Sequence, residues 1–232
     1  MRKKENNHIP LTNIQKITGN HMQESKTRKP CFYLTTRADV TDMMKLRPKL
    51  RKTTGVKITT SAFYLYAIAR TVDEYPLIIA RVKNDTIQIP EAVNIGFAVN
   101  APQGLVVPVL KKADLKTLAQ IAEEEKLLVN KARDNELTLE DMEGETIALS
   151  NLGAYDVDSF IGIVPPQATS ILTIGNVLRE IILFNNEPTA RRTVSFTLAV
   201  DHRVVNGNYA AEFLSTLVKK LENPHRIVEN LP

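Results

Sequence analysis

Apolar positions along the chain recur with two periods, that of helices and that of strands, alternating without the strict repeat of a parallel-sheet protein. Residues 9 to 24 read as a helix, and residues 32 to 40 as a strand rich in aromatic and β-branched side chains. A second helix is expected from Asp42, with Pro48 limiting it. Residues 61 to 74 carry Phe63, Ala67, Ile68 and Val72 at helical spacing, and Tyr75-Pro76 ends the pattern. Two apolar runs, 95 to 99 and 105 to 110, flank Ala101-Pro-Gln-Gly104, a hairpin signal. Residues 115 to 130 return to helix, with Leu118, Ile121 and Leu128 on one side and Glu123, Glu124 and Glu125 largely on the other.

The last third places strands at 146 to 150 and 170 to 174, the second following the break at Val164-Pro-Pro-Gln167. Residues 180 to 184 and 192 to 200 flank Asn185-Asn-Glu-Pro188, a second hairpin. In Val194-Ser-Phe-Thr-Leu-Ala-Val200 the apolar residues alternate, so one face should pack and the other meet solvent or a partner. This strand delivers Asp201-His-Arg-Val-Val-Asn-Gly207, followed at 209 to 221 by an amphipathic helix that Asn223-Pro224 stops. The class is therefore mixed α/β.

Composition narrows the picture. With 232 residues and 43% hydrophobic positions the chain can bury a substantial core. The one cysteine, Cys31, has no partner for an internal disulfide, and neither a secretory leader nor a membrane-spanning run occurs, so a cytoplasmic location is expected. Residues 1 to 8 read as a basic tail, and 9 to 232 as one domain. The net charge of +4 permits an anionic partner, and Lys45-Leu-Arg-Pro-Lys-Leu-Arg-Lys52 is the densest basic stretch. No zinc-finger spacing or RNP-like aromatic stretch accompanies it, which argues against nucleic acid. A phosphorylated small molecule needs only a few such charges.

Of four histidines, His8, His21 and His225 have no evident partners. His202 stands at a strand end before a glycine-marked turn into a helix, where a rigid scaffold presents reactive groups. A lone histidine there is more often a hydrogen-bonded structural residue than a base. No second His or Cys lies at ligand spacing, so no metal is expected, and phosphate-loop, dinucleotide and Gly-x-Ser-x-Gly signatures are missing.

The segment from Asp201 to Gly207 resembles the D-H-R-x-x-D-G signature of the dihydrolipoamide acyltransferases of 2-oxo acid dehydrogenase complexes, and is similar to the H-H-x-x-x-D-G signature of chloramphenicol acetyltransferase. Pro10-Leu-Thr-Asn-Ile14, Phe32-Tyr-Leu34, Asn94-Ile-Gly-Phe-Ala-Val99, Gly104-Leu-Val-Val-Pro-Val109, Leu137-Thr-Leu-Glu-Asp141 and Ser150-Asn-Leu-Gly153 fall in that family's order across nearly the whole chain. The resemblance implies a chloramphenicol-acetyltransferase-like mixed sheet with flanking helices, assembled as homotrimers with active sites between subunits and open to larger cores. It implies acyl transfer between a dihydrolipoyl thiol and the CoA thiol, with CoA or acyl-CoA as substrate, the lipoyl group on a partner domain, dehydrogenase subunits as partners, and no metal.

That chemistry needs a base, because a thiol is mostly protonated at neutral pH and an imidazole titrates there. The resemblance gives this role to His202. Attack on a thioester creates an oxyanion, for which Ser150, matching the family's serine, is the candidate donor. Position 206 is Asn206 where the family usually has Asp, and Asn13, Ile14, Gln15 and Lys16 stand where an arginine is common. Losing both charges together leaves neither unpaired. Val164-Pro-Pro replaces Asn-Pro-Pro, and Asp156 stands where glycine is common. No lipoyl or subunit-binding domain is recognisable. Two rival readings follow: a stand-alone acyltransferase acting on a small hydroxyl or amine, and a silent trimeric scaffold.

Overall fold

A computed structural model describes residues 8–228; of the helix that begins at Asn13, the side chains of Asn13 and Ile14 lie outside the described set, as do most of the N-terminal tail and residues 229–232. The first helix, α1 (Asn13–Arg28), starts at a capping box, in which the Thr12 hydroxyl accepts from the Gln15 N–H and the Gln15 side chain answers the Thr12 N–H. This cap moves the helix about four residues beyond the expected 9 to 24. Strand β1 (Cys31–Asp39) follows, then α2 (Thr41–Thr54), which runs through Pro48 instead of stopping there. A proline inside a helix forfeits one backbone bond. Here buried Met43, Leu46 and Leu50 anchor both sides of it, and Gly55, at a φ of 72°, ends the helix in the left-handed conformation that glycine adopts without strain.

Helix α3 (Thr60–Val72) is apolar almost all round and is buried from Ala62 to Ala69, so it forms the middle of the core. A small hairpin, β2 (Arg81–Lys83) with β3 (Thr86–Gln88), escaped the sequence reading because its three-residue strands carry no resolvable period. The two apolar runs each divide: β4 (Ile95–Phe97) and β7 (Val109–Leu110) join the main sheet, while β5 (Val99–Ala101) and β6 (Gly104–Val106) form the expected hairpin. Helix α4 (Leu118–Arg133) opens with a Thr117 capping box, and one turn of α5 (Leu139–Met142) leads to β8 (Ile147–Asn151). The two strands expected at 170 and 180 are one, β9 (Ser170–Phe184), which turns at Asn185 and Asn186 into β10 (Glu187–Asp201). Helices α6 (Gly207–Glu222) and α7 (His225–Val228) close the chain.

The main sheet has the order β1-β10-β9-β8-β4-β7. Strand β8 is parallel to both neighbours and the other pairings are antiparallel, so the sheet is mixed, as expected. One face, bearing Ile147, Leu149, Leu172, Ile174, Phe196, Leu198 and Val200, packs on the helices. The other face is not left to solvent along 194 to 200. Ser195 and Thr197 are buried there, and Ala148, Ile171 and Ala199 form a second small core with Val164 and Ala168 from the 152–168 segment. That covering segment is why strict alternation misread this face.

Candidate active site

The Asp201–Gly207 segment is fixed by backbone and carboxylate together. The carbonyl of Asp201 accepts from the N–H groups of Val204 and Val205 at 3.0 Å, and burial of both valines folds the turn inward. The Asp201 carboxylate is buried but fully used: it accepts from the Arg203 N–H and takes its guanidinium in a two-pronged contact, the shorter at 2.6 Å. This hydrogen bond raises the Arg203 pKa above its ordinary value.

Between these anchors His202 projects outward. Its N–H donates to the Pro30 carbonyl at 2.9 Å, and its imidazole stands edge-on to Phe32 with ring centroids 5.4 Å apart, exposed to solvent. Asn206 caps α6, its Oδ1 accepting from the Tyr209 N–H at 3.0 Å. Asp and Asn are comparable caps, which gives a physical reason for Asn at this position. Gly207 suits the turn for a different reason: a β-carbon there would lie 3.3 Å from the Phe32 ring that supports His202, a tight contact to which the ring would have to yield.

Ser150 lies on β8, half-buried, on the sheet face turned away from the helices. Its register partners continue across the sheet as Thr173, Thr197 and Thr35, a row of four hydroxyls. The Thr35 and Thr197 hydroxyls pair at 2.9 Å, and Thr173 donates to the Phe160 carbonyl at 2.6 Å. The Ser150 hydroxyl takes no partner among the described residues, which leaves it available to a ligand.

Ser150 and His202 do not meet within one chain. Ser150 is level with Thr197 on β10, whereas His202 lies five residues further on and two strands over. At a strand rise near 3.3 Å this puts roughly 15 Å between them along the strands alone. Each chain therefore presents two separated halves, a histidine at one end of the sheet and a serine toward the other.

One more departure noted in the sequence finds a physical reason. Asp156 has a φ of 56°, the left-handed region that favours glycine, and its carboxylate accepts from the Asn176 amide at 3.1 Å. Gly175 lies so close to the same segment that a β-carbon would overlap the Asp158 carbonyl. The arginine question at Asn13 and Ile14 lies outside the described side chains, while Gln15 is occupied in the cap and Lys16 is exposed.

Sequence reasoning missed a basic pocket of about 610 Å³, lined by Met44, Arg47, Arg51, Lys52, Lys57 and Ile58. The signal was half visible, in the basic 45 to 52 stretch. What periodicity could not show is that Lys57, beyond the Gly55 turn, comes back to the same hollow. Arg47 donates to the Ile58 carbonyl at 3.0 Å, and burial holds its pKa below the ordinary value. Beneath, buried Glu125 accepts from Thr59 at 2.6 Å, and burial raises its pKa. Among the described residues no group of three or more His, Cys, Asp or Glu is arranged to hold a metal ion, and no helix is long and apolar enough to cross a membrane.

Comparison with known proteins gives a concordant result. Residues 3–229 match the family model of the 2-oxoacid dehydrogenases acyltransferase catalytic domain. The chain is 34% identical over 220 residues to the dihydrolipoyllysine-residue acetyltransferase component of the pyruvate dehydrogenase complex of Rickettsia felis, covering 93% of this chain and 53% of that protein. It thus spans about half the length of the curated relatives it matches. Its fold is similar to that of the dihydrolipoamide acetyltransferase of Azotobacter vinelandii, with a TM-score of 0.91, 28% identity and coverage of 97% and 94% of the two chains. Likeness to a chloramphenicol acetyltransferase, with a TM-score of 0.56, 16% identity and coverage of 88% and 92%, bears on the fold alone. By the family model across nearly its whole length and by a relative above 30% identity, the chain belongs to the 2-oxoacid dehydrogenase acyltransferase family, as a catalytic domain.

Proposed function

We propose that the chain transfers an acyl group between a dihydrolipoyl thiol and the thiol of CoA, with His202 as general base and Ser150 as oxyanion donor. The observation that carries this reading is a spacing. The Azotobacter vinelandii structure concerns the catalytic role of a serine, a histidine and an asparagine. Those three stand at the same mutual intervals as Ser150, His202 and Asn206. The local geometry supports the roles: an exposed imidazole held by its backbone, an unpartnered hydroxyl, and an asparagine that fixes the turn between His202 and α6.

In this reading the imidazole takes the proton of the attacking thiol, the thiolate adds to the thioester carbonyl, and the Ser150 hydroxyl donates to the resulting oxyanion. Collapse expels the other sulfur, which recovers the proton from the imidazolium. No redox step or metal is required. The separation of Ser150 and His202 calls for two chains per site, and a closed cyclic trimer satisfies that requirement symmetrically. The pocket between α2 and Lys57 has the charge and size for the phosphate end of CoA. Lipoyl-bearing and dehydrogenase subunits are the partners that the reaction implies, in the cytoplasm.

The test is an acyl-transfer assay with acetyl-CoA and longer acyl-CoAs, comparing dihydrolipoamide with small alcohols and amines as acceptors. Turnover with dihydrolipoamide alone is expected. Turnover only with an alcohol or amine would move the chain to the stand-alone reading, and trimers without transfer would leave the scaffold.

A further inference from the structure

Lys29, the residue that closes α1, has no part in the mechanism above, yet its ammonium is bonded to three backbone carbonyls. Nζ donates to the carbonyls of Pro165 at 2.6 Å, Pro166 at 2.9 Å and Ala168 at 2.5 Å. An ammonium has three protons, and here all three are used. One turn earlier the Ser25 hydroxyl donates to the Val164 carbonyl, so the end of α1 grips the covering segment twice.

The same region carries the catalytic histidine. The carbonyl of Pro30, next in sequence to Lys29, accepts the His202 N–H at 2.9 Å. The carbonyl of Thr169, next to Ala168, accepts the Asp201 N–H, also at 2.9 Å. Asp201 and His202 thus hang from two backbone carbonyls, and the Lys29 side chain ties the segments that supply them. From this closed ring we infer that Lys29 is a positioning residue for His202, holding the Pro165–Ala168 turn against the strand end that presents the imidazole. The inference rests on the reading of His202 as the base.

Only the charged form can make all three bonds. A neutral amine keeps two protons and turns a lone pair toward the third carbonyl. Burial lowers the pKa of Lys29 from 10.5 to about 8, against the pull of Asp201 and Cys31 and with the push of Arg203 and Arg81; Glu145 also faces it. The clamp should therefore open as pH rises through about 8.

The experiment compares wild type, Lys29→Met and Lys29→Arg in the dihydrolipoamide assay across that pH range, using the ratio of rates so that titration of the substrate thiols cancels. Well below pH 8, Lys29→Met should lower kcat about 10-fold or more with the KM for CoA little changed, as for a misplaced base. Lys29→Arg should recover part of the loss. The ratio of wild type to Lys29→Met should fall toward one as pH rises through about 8. A second readout needs neither activity nor a variant: chymotryptic cleavage after Tyr155 and Phe160, normalised to a peptide standard, should accelerate in wild type over the same pH range. Cleavage that responds in a protein without transferase activity would retain the clamp and discard the proposed function. A flat rate ratio together with pH-independent cleavage would overturn the clamp itself.

Discussion

At the scale of single residues, the catalytic reading turns on two groups that do different work. Removing the base, His202→Ala, should abolish most of the transfer, because its imidazole has no substitute within its turn. Removing the donor, Ser150→Ala, should lower kcat by about 100-fold or more with little change in CoA binding, since the hydroxyl matters chiefly once the oxyanion forms. Steady-state kinetics with CoA varied separates these outcomes from ordinary substrate binding, which would appear in KM. Asn206 belongs to a third kind. As the cap of α6, Asn206→Ala should cost about 1 kcal/mol in stability, whereas Asn206→Asp should hold or gain a few tenths through the helix dipole. Urea unfolding of both variants checks this, and an equal loss in both would mean that Asn206 has a role other than capping.

At the scale of elements, what was legible in the sequence followed period and punctuation. Strand β10, helices α3, α4 and α6 and the turn holding His202 were readable because each has a long periodic face and a marked end. Elements too short to show a period, such as β2, β3 and α5, were not. Pro48 failed as a stop signal because tertiary burial of Leu46 and Leu50 outweighs one lost backbone bond. Ser150 was nameable only through the family motif, since nothing local separates it from a strand-end serine. The threonines aligned with it come from three other strands and depend on register, which sequence does not carry.

Register also brings β10 beside α2, where Arg191, 8% exposed, pairs with Asp39 at 2.5 Å and with Asp42 at 3.1 Å. Burial would push the Asp39 carboxyl up, but hydrogen bonds from Thr41 and Arg191 outweigh it and hold the pKa below the usual carboxylate value. A carboxyl with a lowered folded-state pKa contributes stability that is present above its unfolded value and lost as pH falls through the folded one. Asp39→Asn should therefore destabilise at neutral pH, toward the lower end of the ~3–5 kcal/mol for a broken buried pair because Asp42 remains. The difference from wild type should shrink below about pH 4, near the unfolded carboxylate value. Unfolding by urea at both pH values checks the sign, and a gap that widens in acid would assign the stabilisation elsewhere.

At the scale of the whole molecule, the proposed mechanism and the register of the sheet together make activity depend on assembly. β8 and β10 are separated by β9, and the antiparallel step between β9 and β10 carries His202 away from the Ser150 row. No side-chain rotation spans a gap of roughly 15 Å, because an imidazole reaches only a few ångströms from its backbone. If His202 and Ser150 act together as proposed, a complete site joins His202 of one subunit to Ser150 of another, and neither single variant has one. Mixed assemblies differ: where a His202→Ala subunit supplies Ser150 to an interface at which a Ser150→Ala subunit supplies His202, both wild-type groups are present. Mixing the two inactive proteins under conditions of subunit exchange should regenerate part of the activity. Exchange is verified separately by mass, which should also report a trimer at micromolar concentration. No recovery despite demonstrated exchange would refute the shared site, and a monomeric mass together with full activity would place catalysis within one chain, against the register of its own sheet.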